Sequence, residues 1–217
     1  MQNSYKRIDA HLSSLGYCTR SEAKKFLRIF ELTVNDKRVF DTSIKAYHND
    51  IKVNNEVLDP EIITILLNKP SGFICSHNDA GSLIYALIPS RWNRRNPKIS
   101  TIGRLDVDTT GAIILTDDGA LNHKLSSPKS DVSKIYEATL AVPLNGDEKE
   151  IFASGELMLN GEKKPLLPAV LEVISETHVR LEICEGKYHQ VKRMFAAVGN
   201  RVLSLHRVSF GGFMVDD

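Results

Sequence analysis

Near the start of the chain the apolar residues fall at helical spacing. Ile8, Leu12 and Leu15 stand at i, i+4 and i+7, the stripe of an amphipathic helix, and Gly16 follows as a stop. Thr19-Arg20-Ser21-Glu22 has the form of a capping box, in which the threonine accepts from free backbone N–H groups and the glutamate reaches back. It predicts a second helix with Ala23, Phe26, Leu27 and Phe30 on its buried side. The period then shortens. Leu32-Thr33-Val34 and Arg38-Val39-Phe40 read as strands around the turn-like Asn35-Asp36-Lys37, and Ile51-Lys52-Val53 alternates as a half-buried strand ahead of a turn at Asn54-Asn55. This unit closes near Pro60, dividing the chain into domains of residues 1–60 and 61–217.

The second part opens with Ile62-Ile63-Thr64-Ile65-Leu66-Leu67, a continuous run that reads as a buried strand, ended by the turn Asn68-Lys69-Pro70-Ser71-Gly72. Ala112-Ile113-Ile114-Leu115 is another buried strand, Tyr136-Glu137-Ala138-Thr139-Leu140 alternates, and residues 169–174 and 178–184 predict a hairpin around Ser175-Glu176-Thr177. One helix is expected late in the chain. Tyr188, Val191, Phe195 and Val198 make its apolar stripe, Gly199 its stop, and Lys187, Gln190 and Arg193 face elsewhere. Strands with few helices between them place the fold in the α+β class, not among doubly wound sheets.

The chain is 42% hydrophobic and 25% charged, which excludes intrinsic disorder and collagen-like architectures. No stretch approaches the roughly 18 apolar residues of a membrane span, and the N-terminus lacks the apolar run of a signal peptide. Cys18, Cys75 and Cys184 are odd in number and far apart, so they form neither a disulfide framework nor a CxxC knuckle. A cytoplasmic protein with reduced thiols and no membrane partner is expected. The net charge of +1 hides three basic islands. Residues 1–28 carry six basic against two acidic groups, and residues 91–104 hold Arg91, Arg94, Arg95, Lys98 and Arg104 with no acid. Residues 186–207 hold Lys187, Lys192, Arg193, Arg201 and Arg207, again with no acid. Clustered cations of this kind suit a polyanionic partner. In the predicted second helix Arg20, Lys24, Lys25 and Arg28 recur at steps of three or four and line one side, where a nucleic-acid backbone could lie.

Arg7-Ile8-Asp9, Arg20-Ser21-Glu22-Ala23 and Thr33-Val34-Asn35-Asp36 resemble the S4-like RNA-binding domain, whose pattern is a helix beginning R-[LI]-D, a second helix with S-R-x-E-A and a V-x-V-[ND]-G hairpin. Ser and Arg are swapped relative to the usual order, and Asp36 stands where Gly is common. The resemblance implies a small N-terminal α/β domain that positions RNA, with Arg7, Arg20, Lys24, Lys25 and Arg28 among its contacts.

Polar and turn-forming residues concentrate between two apolar runs in Gly103-Arg104-Leu105-Asp106-Val107-Asp108-Thr109-Thr110-Gly111, the segment best placed to carry chemistry. Asp106, Asp108, Thr110, Gly111 and Asp117 occupy calcium-loop positions, but a strand follows, no helix pair flanks the loop, and Asp stands where Glu is required. A structural turn capped by Asp108 and the threonines is a second reading, and a catalytic loop the third. The segment resembles the G-R-L-D-x-D-T-T-G signature of the RsuA-type pseudouridine synthases. Other motifs of that family follow in order: Leu67-Asn68-Lys69-Pro70-Ser71-Gly72, Thr116-Asp117-Asp118-Gly119, Lys134-Ile135-Tyr136 and the run from Glu185-Gly186-Lys187 through Gln190 to Met194. The chain stops at Asp217, short of the family's usual G-x-[YW]-R-x-L segment.

The resemblance implies a mixed, mostly antiparallel-sheet catalytic domain that isomerises one uridine, by expectation uridine 516 of 16S ribosomal RNA. Asp106 is carried over as the nucleophile, attacking either ribose C1′ or uracil C6. Lys192 takes the place of the family's basic partner, often Arg, keeping the enclosed carboxylate charged. Tyr136 takes that of the aromatic residue that stacks on the target base. Arg104 is expected to assist base extrusion, and Lys187, Gln190 and Arg193 to contact RNA. The expected partner is 16S rRNA in a partly assembled small-subunit particle, bound by a monomer. No cofactor and no metal are assigned, since His189 and His206 have no ligand partner at useful spacing. Two other readings are a sister synthase acting on 23S rRNA and a non-catalytic rRNA-binding assembly factor. The second leaves no reason for Asp106, Tyr136 and Lys192 to occur together.

Overall fold

The computed structural model describes residues 3–127 and 130–215. The chain separates into two units. One comprises Met1–Thr64 with Tyr85–Ser100 and Thr116–Ala120, the other Ile65–Ile84, Thr101–Leu115 and Leu121–Asp217.

In the first unit, strand β1 (Tyr5–Arg7) runs into helix α1 (Ile8–Ser14), and Gly16 adopts φ +80° where the helix stops, as expected. The capping box at Thr19 is present, with Glu22 accepting from the Thr19 backbone N–H at 3.0 Å. It opens a single 3-10 turn before the short helix α2 (Ala23–Phe26). Strands β2 (Leu32–Val34), β3 (Lys37–Arg38), β4 (Lys45–Tyr47), β5 (Ile51–Val53) and β6 (Glu56–Val57) follow. Their sheet runs β3-β2-β5-β6, all antiparallel, while β1 pairs separately with β4. Both hairpin turns take two residues at positive φ, Asn35-Asp36 and Asn54-Asn55. The first turn is therefore one residue shorter than the expected tripeptide, because asparagine and aspartate tolerate the left-handed region and a two-residue turn matches strand twist. Ile8, Leu12, Leu15, Phe26, Leu32, Ile51 and Leu58 close one apolar core, so the predicted stripe of α1 is the stripe that is buried.

Strand β7 (Thr64–Lys69) begins the large sheet, followed by β8 (Ser100–Ile102), β9 (Thr110–Thr116), helix α3 (Gly119–Ser126), β10 (Lys134–Leu140), helix α4 (Glu148–Ala153), β11 (Val170–Val173), β12 (His178–Ile183), helix α5 (Gln190–Ala197), β13 (Val202–Phe210) and β14 (Phe213–Met214). The order is β11-β12-β10-β13-β9-β7, antiparallel from β11 to β13 and parallel between β13 and β9. The sheet is thus mixed and mostly antiparallel, with few helices. Strand β9 is buried from Gly111 to Thr116, as its continuous apolar run predicts. The first apolar run behaves differently. Strand β7 starts two residues later than expected and alternates between exposed and part-buried positions, because it lies at the edge of the sheet and covers one face only.

The register across β9, β13 and β10 aligns three residues. Gly111 lies opposite Arg207, and Arg207 opposite Tyr136. Gly111 holds φ +104°, and a Cβ there would sit 2.2 Å from the Arg207 carbonyl oxygen, so the last residue of the Gly103–Gly111 segment must be glycine for the parallel pair to form.

Candidate active site

Asp106 lies on the loop that enters β9, and main-chain hydrogen bonds fix this loop. The Thr109 N–H donates to the Asp106 carbonyl at 3.2 Å, and the Gly72 N–H to the Val107 carbonyl at 2.8 Å. Beneath it the fully buried Lys69 spends its ammonium on three carbonyls, donating to Thr109 at 2.8 Å, Pro70 at 3.0 Å and Val107 at 3.3 Å. Burial pushes the Lys69 pKa down, against the opposing pull of Cys75, Asp108 and Asp106.

Helix α5 brings two basic side chains to Asp106. Lys192 Nζ stands 3.4 Å from Asp106 Oδ2, and His189 Nε2 stands 3.2 Å from Asp106 Oδ1. Lys192 also donates to both oxygens of Asp108, at 2.7 and 2.9 Å. The lysine is thus shared by two carboxylates and sits closer to the more exposed one. Burial would lower its pKa, but the hydrogen bond to Asp108 and the charges of both aspartates outweigh that and raise it. The same hydrogen bond holds Asp108 below the usual carboxylate range. His189 reaches the loop from a left-handed backbone position, φ +48°, at the start of α5. A non-glycine residue there is strained, and the strain aims the imidazole at the carboxylate.

The segment before α5 is tied to itself. Gln190 accepts from the Lys187 N–H at 2.8 Å and donates to Glu185 at 3.1 Å, while Arg193 donates to Glu162 and to the Tyr188 and Asn160 carbonyls. Gln190 is buried and Arg193 half-buried, and these hydrogen bonds tie both to the segment before the helix. Their donors satisfy the loop that precedes the helix. Tyr188, expected in the buried stripe, is 74% exposed and stacks on His189 at 3.8 Å between centroids, because α5 starts two residues later at Gln190. Val191, Met194 and Phe195 supply the buried face.

Tyr136 is buried in β10. Its hydroxyl lies 3.4 Å from Arg207 Nη1, and the Arg207 guanidinium, itself buried, covers both the Tyr136 and Phe210 rings. Arg207 Nε donates to the Ala112 carbonyl at 2.6 Å. Arg104 is exposed and makes no ion pair or hydrogen bond among the described residues.

A model of the RNA pseudouridylate synthase family matches residues 63–197, well over half of the chain and including Asp106, Tyr136 and Lys192. The chain belongs to this family. Its likeness to the RsuA-type branch extends over nearly the full length. Ribosomal small subunit pseudouridine synthase A of Escherichia coli (strain K12) is 49% identical over 97% of this chain and 91% of its own, and the protein of that name from Pasteurella multocida is 41% identical over the same shares. A crystal structure of a pseudouridylate synthase, 40% identical, superposes with a TM-score of 0.67 over 97% of this chain and 91% of the other. An H/ACA RNP bound to a substrate RNA containing 2′-deoxyuridine shares the fold alone, at 18% identity and a TM-score of 0.51 over 70% of this chain and 49% of that one.

In this pseudouridylate synthase, Asp106 and Lys192 come together, and Tyr136 bonds to Arg207. His189, Lys69 and Arg207 also shape the region, and sequence reasoning assigned none of them there, while Asp108, read as a turn cap, takes the lysine instead. Lys69 and His189 lie inside family motifs, which is the only signal that could have found them. Of the expected calcium-loop residues, Asp117 points elsewhere: it accepts from Arg95 Nε and from the Ile63 N–H, each at 2.7 Å. The basic island at 91–104 is also partly neutralised, Arg95 by Asp117 and Arg91 by Asp59 at 2.8 Å.

Proposed function

We propose that this protein converts a single uridine of small-subunit ribosomal RNA, uridine 516 of 16S, into pseudouridine. The observation that carries the reading is Asp106, a carboxylate accessible to solvent on a rigid loop, flanked by Lys192 and His189 in the stretch the family model matches. The names of the relatives that align over nearly the whole chain support the choice of RNA.

The reaction breaks the N1–C1′ bond, turns the base and joins C5 to C1′, with the C5 proton lost and a proton gained at N1. Nothing is oxidised or reduced. Asp106 is the nucleophile: attack at ribose C1′ displaces N1 and the ester breaks when C5 bonds to C1′, whereas attack at uracil C6 gives an adduct that is expelled once C5 has joined C1′, and either way the carboxylate is restored. Lys192 stands beside Asp106 as a point charge rather than a bidentate fork. His189 fixes the other carboxylate oxygen. Tyr136 is the aromatic residue that stacks on the base, oriented by Arg207. A stacked uridine cannot reach a carboxylate, so it is extruded at a cost of about a few kcal/mol, and Arg104, exposed and without a partner among the described residues, fills the vacated stack or holds phosphate.

The N-terminal unit is S4-like and positions the rRNA with Arg7, Arg20, Lys24, Lys25 and Arg28. Of these Lys24, Lys25 and Arg28 present exposed side chains on and just beyond α2, while Arg7 and Arg20 share Asp9. Lys187, Gln190 and Arg193 add further contacts to the RNA. The protein works in the cytoplasm as a monomer on a partly assembled small-subunit particle, whose unpaired bases are the ones proteins read.

Wild type and Asp106→Asn, incubated with 16S-containing and 23S-containing particles and mapped by a pseudouridine-specific chemical stop, test this reading. One new site in 16S, made by wild type alone, is expected. A site in 23S moves the protein to the sister activity, and rRNA binding without modification by either protein supports the assembly-factor reading.

A further inference from the structure

The first unit contains two histidines that no catalytic argument uses. His11, on α1, is fully buried, and His48, just past β4, is 5% exposed. Nδ1 of each is buried and finds no hydrogen-bond partner among the described residues. Buried polar atoms are nearly always satisfied, so two bare imidazole nitrogens in one core require a missing partner, an ion or a water. A third group faces them. A ring nitrogen of His11, one of His48 and a carboxylate oxygen of Glu61 lie within 4.8 Å of one another.

From this cluster we infer a binding site for a divalent transition metal of the zinc class, with His11, His48 and Glu61 as its protein ligands. Two imidazoles and a carboxylate with an open fourth position form a donor set that zinc accepts and that calcium and magnesium, which take oxygen ligands, do not favour. The protonation states suit it. His11 Nε2 lies 3.1 Å from the Ala46 carbonyl, so it carries the proton and leaves the lone pair on Nδ1, the arrangement in which an outer carbonyl orients a metal-bound histidine. Burial pushes both imidazoles toward their neutral form. Glu61 accepts from the Ser4 hydroxyl and from the Ser4 N–H at 3.0 Å, so its carboxylate is oriented as well. A tetrahedral zinc with ligand distances of about 2.0–2.1 Å sets its donors roughly 3.3 Å apart, so these three need to close by about 1.5 Å at most.

Two cations oppose an ion here. Lys6 stands 3.4 Å from Glu61, but its side chain is 36% exposed and can turn to solvent. Arg95 also acts on His48 through its charge, and its own charge is matched by Asp117 at 2.7 Å. The metal would tie α1, the end of β4 and the segment after β6 into one clasp, closing a unit whose core is small. The three ligands are far apart in sequence, which is why spacing along the chain does not reveal them.

The test uses full-length protein stripped with a chelator and titrated with Zn2+ by calorimetry. Metal analysis gives the stoichiometry, and Co2+ absorption reports the geometry. One equivalent per chain is expected, with an intense tetrahedral Co2+ spectrum and a rise in the melting temperature of the folded unit. Loss of an outer-shell partner alone weakens metal binding about 10- to 100-fold, so His48→Gln and Glu61→Gln should each weaken it by more than about 100-fold. Glu61→Gln keeps size, and its amide can still accept from the Ser4 N–H while donating to the Ser4 hydroxyl, so it decides the matter if His48→Gln fails to fold. Substoichiometric binding by wild type, or binding unchanged in Glu61→Gln and in any folded His48→Gln, overturns the site and leaves a water as the partner. None of these readouts depends on pseudouridine formation.

Discussion

Two acid–base clusters stand at the two ends of strand β9, and they are built in opposite ways. After the strand, Asp117 meets Arg95 with side chains 3% and 1% exposed; the other Asp117 oxygen accepts from the Ile63 N–H, and Arg95 Nη2 donates to the Pro60 and Glu61 carbonyls. Before the strand, Asp106 and Asp108 share one lysine and a histidine meets Asp106, with side chains from 26% to 65% exposed. The first cluster has one partner per charge and no solvent. The second has more carboxylate than lysine and stays open. A closed pair holds a fold in place, and once formed it can do little else. An open cluster with a shared cation leaves a carboxylate available to a substrate.

The largest expected effect breaks the closed pair. Arg95→Met should leave Asp117 buried and unpaired and lower stability by about 3–5 kcal/mol in denaturant titration, with little change in rate per folded molecule. Next comes the strand that separates the clusters. Gly111→Ala should destabilise by at least about 2 kcal/mol, since the residue holds φ +104° and its new Cβ would meet the Arg207 carbonyl. The exposed cations Lys24, Lys25 and Arg28 belong to neither kind of cluster, and their joint replacement by alanine should leave stability unchanged. RNA affinity should fall, and its salt slope flatten by up to about 2, at about 0.7 for each phosphate no longer neutralised.

The smallest effect comes from the open cluster. Asp108→Asn should change stability by less than about 1 kcal/mol, because the pair with Lys192 is solvated. Its pH signature has a definite sign. Asp108 is held below the ordinary carboxylate value of about 3.9, so its contribution is present above that pH and is lost as pH falls through the depressed value. Lys192 is raised, so its contribution is complete below the ordinary lysine value of about 10.4 and is lost as pH climbs past it. Asp108→Asn should make the acid limb of a pH–stability curve slightly shallower and leave most of it in place, since Asp9, Glu61, Glu137 and Glu148 are also held below the usual carboxylate range.

What could be read along the chain was what local physics decides. The stripe of α1, the capping box, the two asparagine turns, the buried run of β9 and the glycine stop after α5 all follow from spacing and from residues suited to positive φ. The failures share one cause: their partners are distant in sequence. The three-residue pair β1–β4 has too little pattern to detect, and Ile62 to Leu67 looks buried until its edge position is known. The run of cations from Arg91 to Arg104 looks like a free basic surface because Asp59 and Asp117 lie elsewhere in the chain. In the candidate site, Asp106 and Lys192 could be named from motifs, whereas His189 reaching Asp106 depends on a strained backbone turn that no periodicity encodes.

The central claim is that the two aspartates beside β9 divide chemistry from folding. Asp106→Asn and Asp117→Asn, compared for thermal stability, RNA binding and pseudouridine formation in the same preparations, test it most directly. Asp106→Asn should lose product formation by about a thousandfold or more while melting and binding stay as in wild type. Asp117→Asn should melt markedly lower yet keep its rate per folded molecule. An Asp106→Asn protein that still forms pseudouridine within about tenfold of the wild-type rate would contradict the account.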